Sequence, residues 1–122
     1  MATVCRGIRG ATTADNTPES ILSATREMLE ALVSANDLRK DQIAAAIFTA
    51  TGDLNAAFPA TAARVHLGWE HIALVDSQEM EMAGSLPACI RVLLLVNTDK
   101  RPEELVNVYL RGAVNLRANT RG

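Results

Sequence analysis

Aromatic side chains are scarce in this chain, at 3% of residues, with Trp69 and Tyr109 the lone members of their kinds. Rings cannot fill the interior, so Ala, Val, Leu and Ile must do it; the 48% hydrophobic content is ordinary for a packed core. Cysteine is nearly absent too. Cys5 and Cys89 lie far apart and belong to no metal-spaced cluster, which predicts reduced core thiols rather than a disulfide or a zinc site. No apolar run approaches the ~20 residues that cross a bilayer. The opening "MATVCRGIRG" has arginines where a secretory signal needs an apolar stretch. A soluble, cytoplasmic protein is the expectation. A net charge of −2 lacks the basic excess of a general nucleic-acid or membrane-surface binder. There is no Walker loop, dinucleotide fingerprint or nucleophile elbow. His66 and His71 are badly spaced for one helical metal pair and read as surface or boundary residues. Ser77 and Ser85 have no obvious histidine partner. Metal-based and nucleophilic mechanisms therefore have little support in the sequence, and no cofactor is called for.

What is present is an interleaving of strand and helix patterns over 122 residues, a length that suggests one domain. "TVCRGIR", 3–9, alternates and predicts a first strand, followed by a loop, "GATTADNTP". Thr17 then Pro18 form an N-cap and first helical position. Ile21, Met28 and Leu32, flanked by Leu22, Leu29 and Val33, give that helix one apolar face to about Asn36. "IAAAIFTAT", 43–51, predicts a buried strand. Residues 60–67 predict a short helix stopped by Gly68. "HIALVD", 71–76, predicts a third strand and "ACIRVLLLVNT" a fourth, joined by the irregular "SQEMEMAGSLP". "PEELVNVYL" begins as a helix after Pro102, and "AVNLR" ends as a short strand or extended tail. The class is α/β (α+β) with a mixed β-sheet. Its central strands look buried on both faces. So few helices cannot cover both, which predicts an oligomer.

Arginines outnumber lysines ten to two. Codon bias explains this as well as a need for two-pronged carboxylate or phosphate binding does. Arg91 is the informative one, because "CIRVLLLV" surrounds it with aliphatics. Its charge cannot be titrated away, so burial demands an anionic partner, either a structural salt bridge or a ligand. Arg6 and Arg9 fall on opposite faces of the first strand. Arg64, Arg117, Glu79 and Tyr109 each have a plain reading as solvated or core-edge residues when taken singly. Asp76, Glu79 and Glu81 follow the third strand.

"RGIRGATT", "FPA", "GW", "QEM", "CIRV", "VYL" and "LR" occur in an order and at spacings that resemble the monofunctional AroH-class chorismate mutases, from Arg6 to Arg117. The resemblance implies a mixed sheet with helices on one face and a homotrimer with a barrel-like core. It places the active sites in clefts between subunits. It implies an isomerase of aromatic amino-acid biosynthesis that rearranges chorismate to prephenate with no cofactor, metal or covalent intermediate.

By the same resemblance, Arg91 donates to the breaking ether oxygen, and Glu79 accepts from the ring hydroxyl. Arg9 and Tyr109 hold the side-chain carboxylate. Phe58 is an apolar wall supplied across the interface, with Ala60 beside it and Arg64 at the cleft mouth. Leu116 and Arg117 belong to a covering tail. Asp76 stands where some members carry a cysteine near the ring hydroxyl. As a second carboxylate near Glu79 it is expected to raise one pKa of the pair. Thr61 replaces a lysine found in some members. Arg6 is expected to be structural or exposed. Two other readings are a binding module for a small dicarboxylate and a deaminase-like trimer, the latter disfavoured by "RGIRGATT" and "QEM".

Overall fold

The structure, a computed structural model, describes residues 2–116. Ten residues, Val4–Thr13, form β1. Helix α1 spans Pro18–Asn36, with the Thr17 side chain accepting from the Ser20 amide as the sequence predicts. β2 is Ile43–Ala50 and β3 is Ala73–Gln78. Between them lies α2, Pro59–Thr61, which widens into a π-helical turn over Ala62–His66. β4 is Cys89–Thr98 and β5 is Val108–Tyr109.

The strands form one five-stranded sheet in the order β3-β2-β4-β1-β5. β4 is its centre and runs antiparallel to both β1 and β2. The β2–β3 and β1–β5 pairs are parallel, so the sheet is mixed. Side chains alternate between faces. Ile8, Ala46, Phe48, Ile90, Val92, Leu94 and Val96 pack on one face against Ile21, Met28, Leu29 and Leu32 of α1. Gly10 lets α1 sit directly on β1, since a Cβ there would stand 2.7 Å from Leu32 Cδ1. Both α1 and α2 lie on this face. The opposite face leaves Val75 and Leu93 exposed at 52% and 37%. That is apolar surface which a lone subunit keeps in water.

Four secondary-structure expectations need correction. β1 extends through Thr13, because "GATT" pairs with β4 down to Thr13↔Cys89. The third strand begins at Ala73, later than read, and runs on to Gln78. After Pro102 there is one 3-10 turn, Pro102–Glu104, and then the strand β5. Near the end, where "AVNLR" is read as strand or extended tail, Ala113 closes a 3-10 turn, Arg111–Ala113, and residues 114–115 continue as turn. Tertiary partners decide the third case. Asn36, buried on α1, donates to the Val106 carbonyl at 2.9 Å and accepts the Val106 amide at 2.8 Å. Asn107 Oδ1 accepts the Arg9 amide at 2.9 Å. These bonds stretch 106–109 along β1 and outweigh local helix propensity. Cys89 is buried as expected, but Cys5 is exposed, because Val4 and Cys5 lie at the uncovered start of β1. No helix among the described residues is long and apolar enough to cross a membrane.

Candidate active site

The helix-free face carries a row of opposed residues. Thr49 of β2 is the register partner of Arg91 of β4. Arg91 is also the partner of Ala11 of β1, and Ala11 of Tyr109 of β5. Side chains of one row share a face, so Thr49, Arg91 and Tyr109 line the same cleft. Ala11 between them leaves it open. The cleft has a volume of about 450 Å³ and is also lined by Arg9, Ile47, Leu93 and Leu116. Its base near Ala11 and Cys89 is closed by Ala113 and Leu116 of the C-terminal turn, with Leu86 and Tyr109 packed alongside.

Arg91 is set in place from the start of its strand. The Thr51 hydroxyl accepts the Cys89 amide at 3.0 Å, and Asp53 Oδ2 accepts the Ala88 amide at 2.9 Å, fixing the start of β4. Asp53 is held below the usual carboxylate range, first by its bond from Thr51 and also by that from Ala88, with burial opposing. The Arg91 side chain is only part-exposed, and its Nε is buried without a hydrogen-bond partner. The nearest carboxylate, Glu79, places Oε2 3.8 Å from that Nε. The ion pair is therefore loose, and the donor direction is open. Burial pushes the neighbouring Cys89 thiol up, and the Arg91 charge opposes that shift. A thiol so placed stays neutral near pH 7.

Glu79 reaches this place from just beyond β3. Its amide donates to the Ala50 carbonyl at 2.9 Å, prolonging the β2–β3 pairing, and its Oε1 accepts a short bond from the Thr49 hydroxyl. Tyr109 presents a buried hydroxyl that likewise has no hydrogen-bond partner. Two buried donors open toward one cleft mark a site for an acceptor-rich ligand, because an unmet buried donor is costly. With Arg9 and Arg91 both lining it, the ligand class is anionic.

The other residues named from the sequence gather elsewhere. Phe58, 70% exposed, lines a second cavity of about 480 Å³ with Asp76. Asp76 Oδ1 accepts the Ala60 amide at 3.0 Å. Its register partner is Phe48, so it faces the helical side of the sheet. Burial raises the Asp76 carboxyl above its ordinary value, while the Ala60 amide and the Arg64 charge pull the other way. The cause is thus desolvation, not the Glu79 neighbour expected from sequence. Arg64 is exposed on the π turn. Arg6 is part-buried and donates to the Lys100 carbonyl at 3.2 Å, a structural role. Arg117 lies outside the described residues.

Within one chain, then, Arg9, Glu79, Arg91, Tyr109 and Leu116 come together, and Phe58, Ala60, Arg64 and Asp76 form a separate group across the sheet. Sequence reading missed Thr49. Alternation places it on the face of Ile47, but only the β2–β4 register sets it opposite Arg91. No group of three or more His, Cys, Asp or Glu suited to hold a metal ion occurs among the described residues.

Comparison with known proteins matches residues 5–120 to the family model described as chorismate mutase type I. A chorismate mutase AroH from Thermus thermophilus is 49% identical over 114 residues, covering 92% of this chain and 93% of that protein. A chorismate mutase AroH from Bacillus subtilis (strain 168) is 41% identical over 113 residues, covering 92% and 89%. A solved structure of a chorismate mutase from Clostridium thermocellum superposes with a TM-score of 0.86 at 48% identity, covering 88% of this chain and 96% of that one.

Proposed function

Because this chain belongs to the type I chorismate mutase family and is an isomerase, we propose that it rearranges chorismate to prephenate with Arg91 as its principal electrostatic catalyst. The reaction breaks one carbon–oxygen bond and forms one carbon–carbon bond inside a single molecule. It needs no nucleophile and no proton transfer. The enzyme has two tasks: to hold a flexible dianion in a compact reactive shape, and to stabilise charge growing on the ether oxygen.

The observation that carries this reading is the buried Arg91 Nε with no hydrogen-bond partner, in a cleft that Arg9 and Tyr109 also line. A planar, permanently charged donor fixed on a central strand needs no reorganisation when charge develops. Arg9 and the Tyr109 hydroxyl bind the side-chain carboxylate. Glu79 accepts from the ring hydroxyl. Leu116, with Arg117 following it, covers the bound ligand.

The second group of residues acts on a neighbouring subunit's cleft. A homotrimer that buries the open sheet face brings Phe58, Ala60, Arg64 and Asp76 of one chain to the Arg91 cleft of the next. The exposed Phe58 side chain and the apolar open face support this arrangement. The pathway is aromatic amino-acid biosynthesis, in the cytoplasm.

The test is loss of chorismate ultraviolet absorbance with wild type and Arg91→Ala. Removing one such donor costs ~3–4 kcal/mol of transition-state stabilisation, a hundred- to a thousandfold in kcat or more. Stability should change by less than about 1 kcal/mol, because the Glu79 contact is long and part-exposed. A variant that keeps wild-type turnover, or one that merely unfolds, counts against the assignment. Prephenate binding with no conversion of chorismate by wild type would make the site a binding module.

A further inference from the structure

Glu79 presents a geometric puzzle. It is the carboxylate beside Arg91, yet Oε2 stops 3.8 Å from Nε. An arginine–carboxylate pair ordinarily closes to about 2.7–2.9 Å. Closure here would occupy the donor on which the reaction depends. Two restraints act against it. The Glu79 amide is fixed to the Ala50 carbonyl at 2.9 Å. The Thr49 hydroxyl, one side chain away on the same face, holds Oε1. An ionised carboxylate only accepts, so the one hydroxyl proton has an unambiguous destination. Thr49 and Arg91 are a directly opposed antiparallel pair, with Cβ atoms ~4.5–5.5 Å apart, so the tether pulls from beside the guanidinium. Cleft-lining neighbours on that side, Ile47 and Leu93, are apolar and cannot replace it.

We propose that Thr49 is a positioning residue that holds Glu79 back from Arg91 and so keeps the Arg91 Nε–H available to substrate. The inference deepens the chorismate mutase reading and rests on it for its kinetic arm. β-Branching suits the task, since Thr has few χ1 choices and its hydroxyl direction is set by the strand. Thr49 contributes nothing to the chemistry except through Glu79.

The test uses Thr49→Val, which keeps shape and removes the hydroxyl, with Thr49→Ser and Glu79→Gln alongside. Thr49→Val should lower kcat at least about tenfold while KM moves by less than about threefold, the loss of a hydrogen bond to a charged group. Thr49→Ser should recover most of the turnover lost in Thr49→Val. In the Glu79→Gln background, Thr49→Val should cost nothing further, because the tethered group has lost its charge. A crystal structure of Thr49→Val should show a Glu79 oxygen within ~3.2 Å of Arg91 Nε. Full turnover in Thr49→Val, equal losses in both backgrounds, or an unmoved Glu79 in the crystal each overturns the proposal. The crystallographic arm stands whether or not the protein converts chorismate, so failure of the functional reading and failure of the tether are told apart.

Discussion

Two half-sites on one chain make a quantitative prediction for mixed oligomers. The Arg91 cleft and the cavity lined by Phe58 and Asp76 share no residue, and Asp76 faces the helical side of the sheet, which is the arrangement the proposed shared site requires. Consider Arg91→Ala, which damages the first half, and the double variant Phe58→Ala/Arg64→Ala, which damages the second. In the proposed homotrimer, either variant alone would have three damaged sites. Loss of Arg91 costs about a hundredfold or more. Loss of Arg64 removes a charge-assisted contact of ~1.5–3 kcal/mol, about ten- to 150-fold, before the lost Phe58 wall is counted. Purification through two tags leaves only two-to-one hybrid rings, and in each of them one interface of the three joins an intact first half to an intact second half. About a third of wild-type activity should therefore return, if the assembly is a cyclic trimer and every site is shared by two neighbours. The assay is chorismate consumption by co-expressed variants carrying different tags, purified through both. A site confined to one chain predicts only the mean of the two parents. Recovery no greater than that mean would refute the shared site and leave the Arg91 half to explain activity alone.

Other perturbations are read through stability. Asp76→Asn should stabilise the protein at pH 7. Burial raises the folded carboxyl above its unfolded value, so stability is fully present below about pH 3.9 and is lost as pH rises through the folded pKa. The asparagine oxygen can still accept the Ala60 amide, and the gain in thermal midpoint should shrink as pH falls toward 4. Gly10→Ala should cost ~1–3 kcal/mol in urea denaturation, because the new methyl would stand 2.7 Å from Leu32 Cδ1 and 3.1 Å from Val92 Cγ1. A neutral result would mean α1 moves easily on β1. Asn36→Leu should cost ~1–3 kcal/mol and raise KM for chorismate, since it removes both bonds to Val106 in the segment that leads to Tyr109. An unchanged KM would separate that clamp from the site.

Much of this was readable before any coordinates. Helix α1 announced itself at both ends and along its apolar face, and Arg91 stood out because its aliphatic neighbours allow no easy solvation. The resemblance already implies clefts between subunits with Phe58 supplied from across the interface, but nothing in the sequence tells which face of β3 Asp76 occupies. Where reading failed, nonlocal bonding had won. Nothing in "PEELVNVYL" tells that Asn36, 70 positions upstream of Val106, will bind it in an extended form. "GATT" has weak strand propensity and becomes strand because β4 is long enough to pair with it. Thr49 was invisible for the same reason, as one hydroxyl among several until register set it opposite an arginine.

That register has a thermodynamic consequence. Thr49, Arg91, Ala11 and Tyr109 occupy one transverse row across four strands. Sliding any of them by one residue would turn its side chain into the helical core and its core residue into the cleft. The site cannot survive on a slipped sheet. Catalytic competence is not an ornament on a stable scaffold; it is a property of the same cooperative unit, and the two should appear and vanish in a single transition.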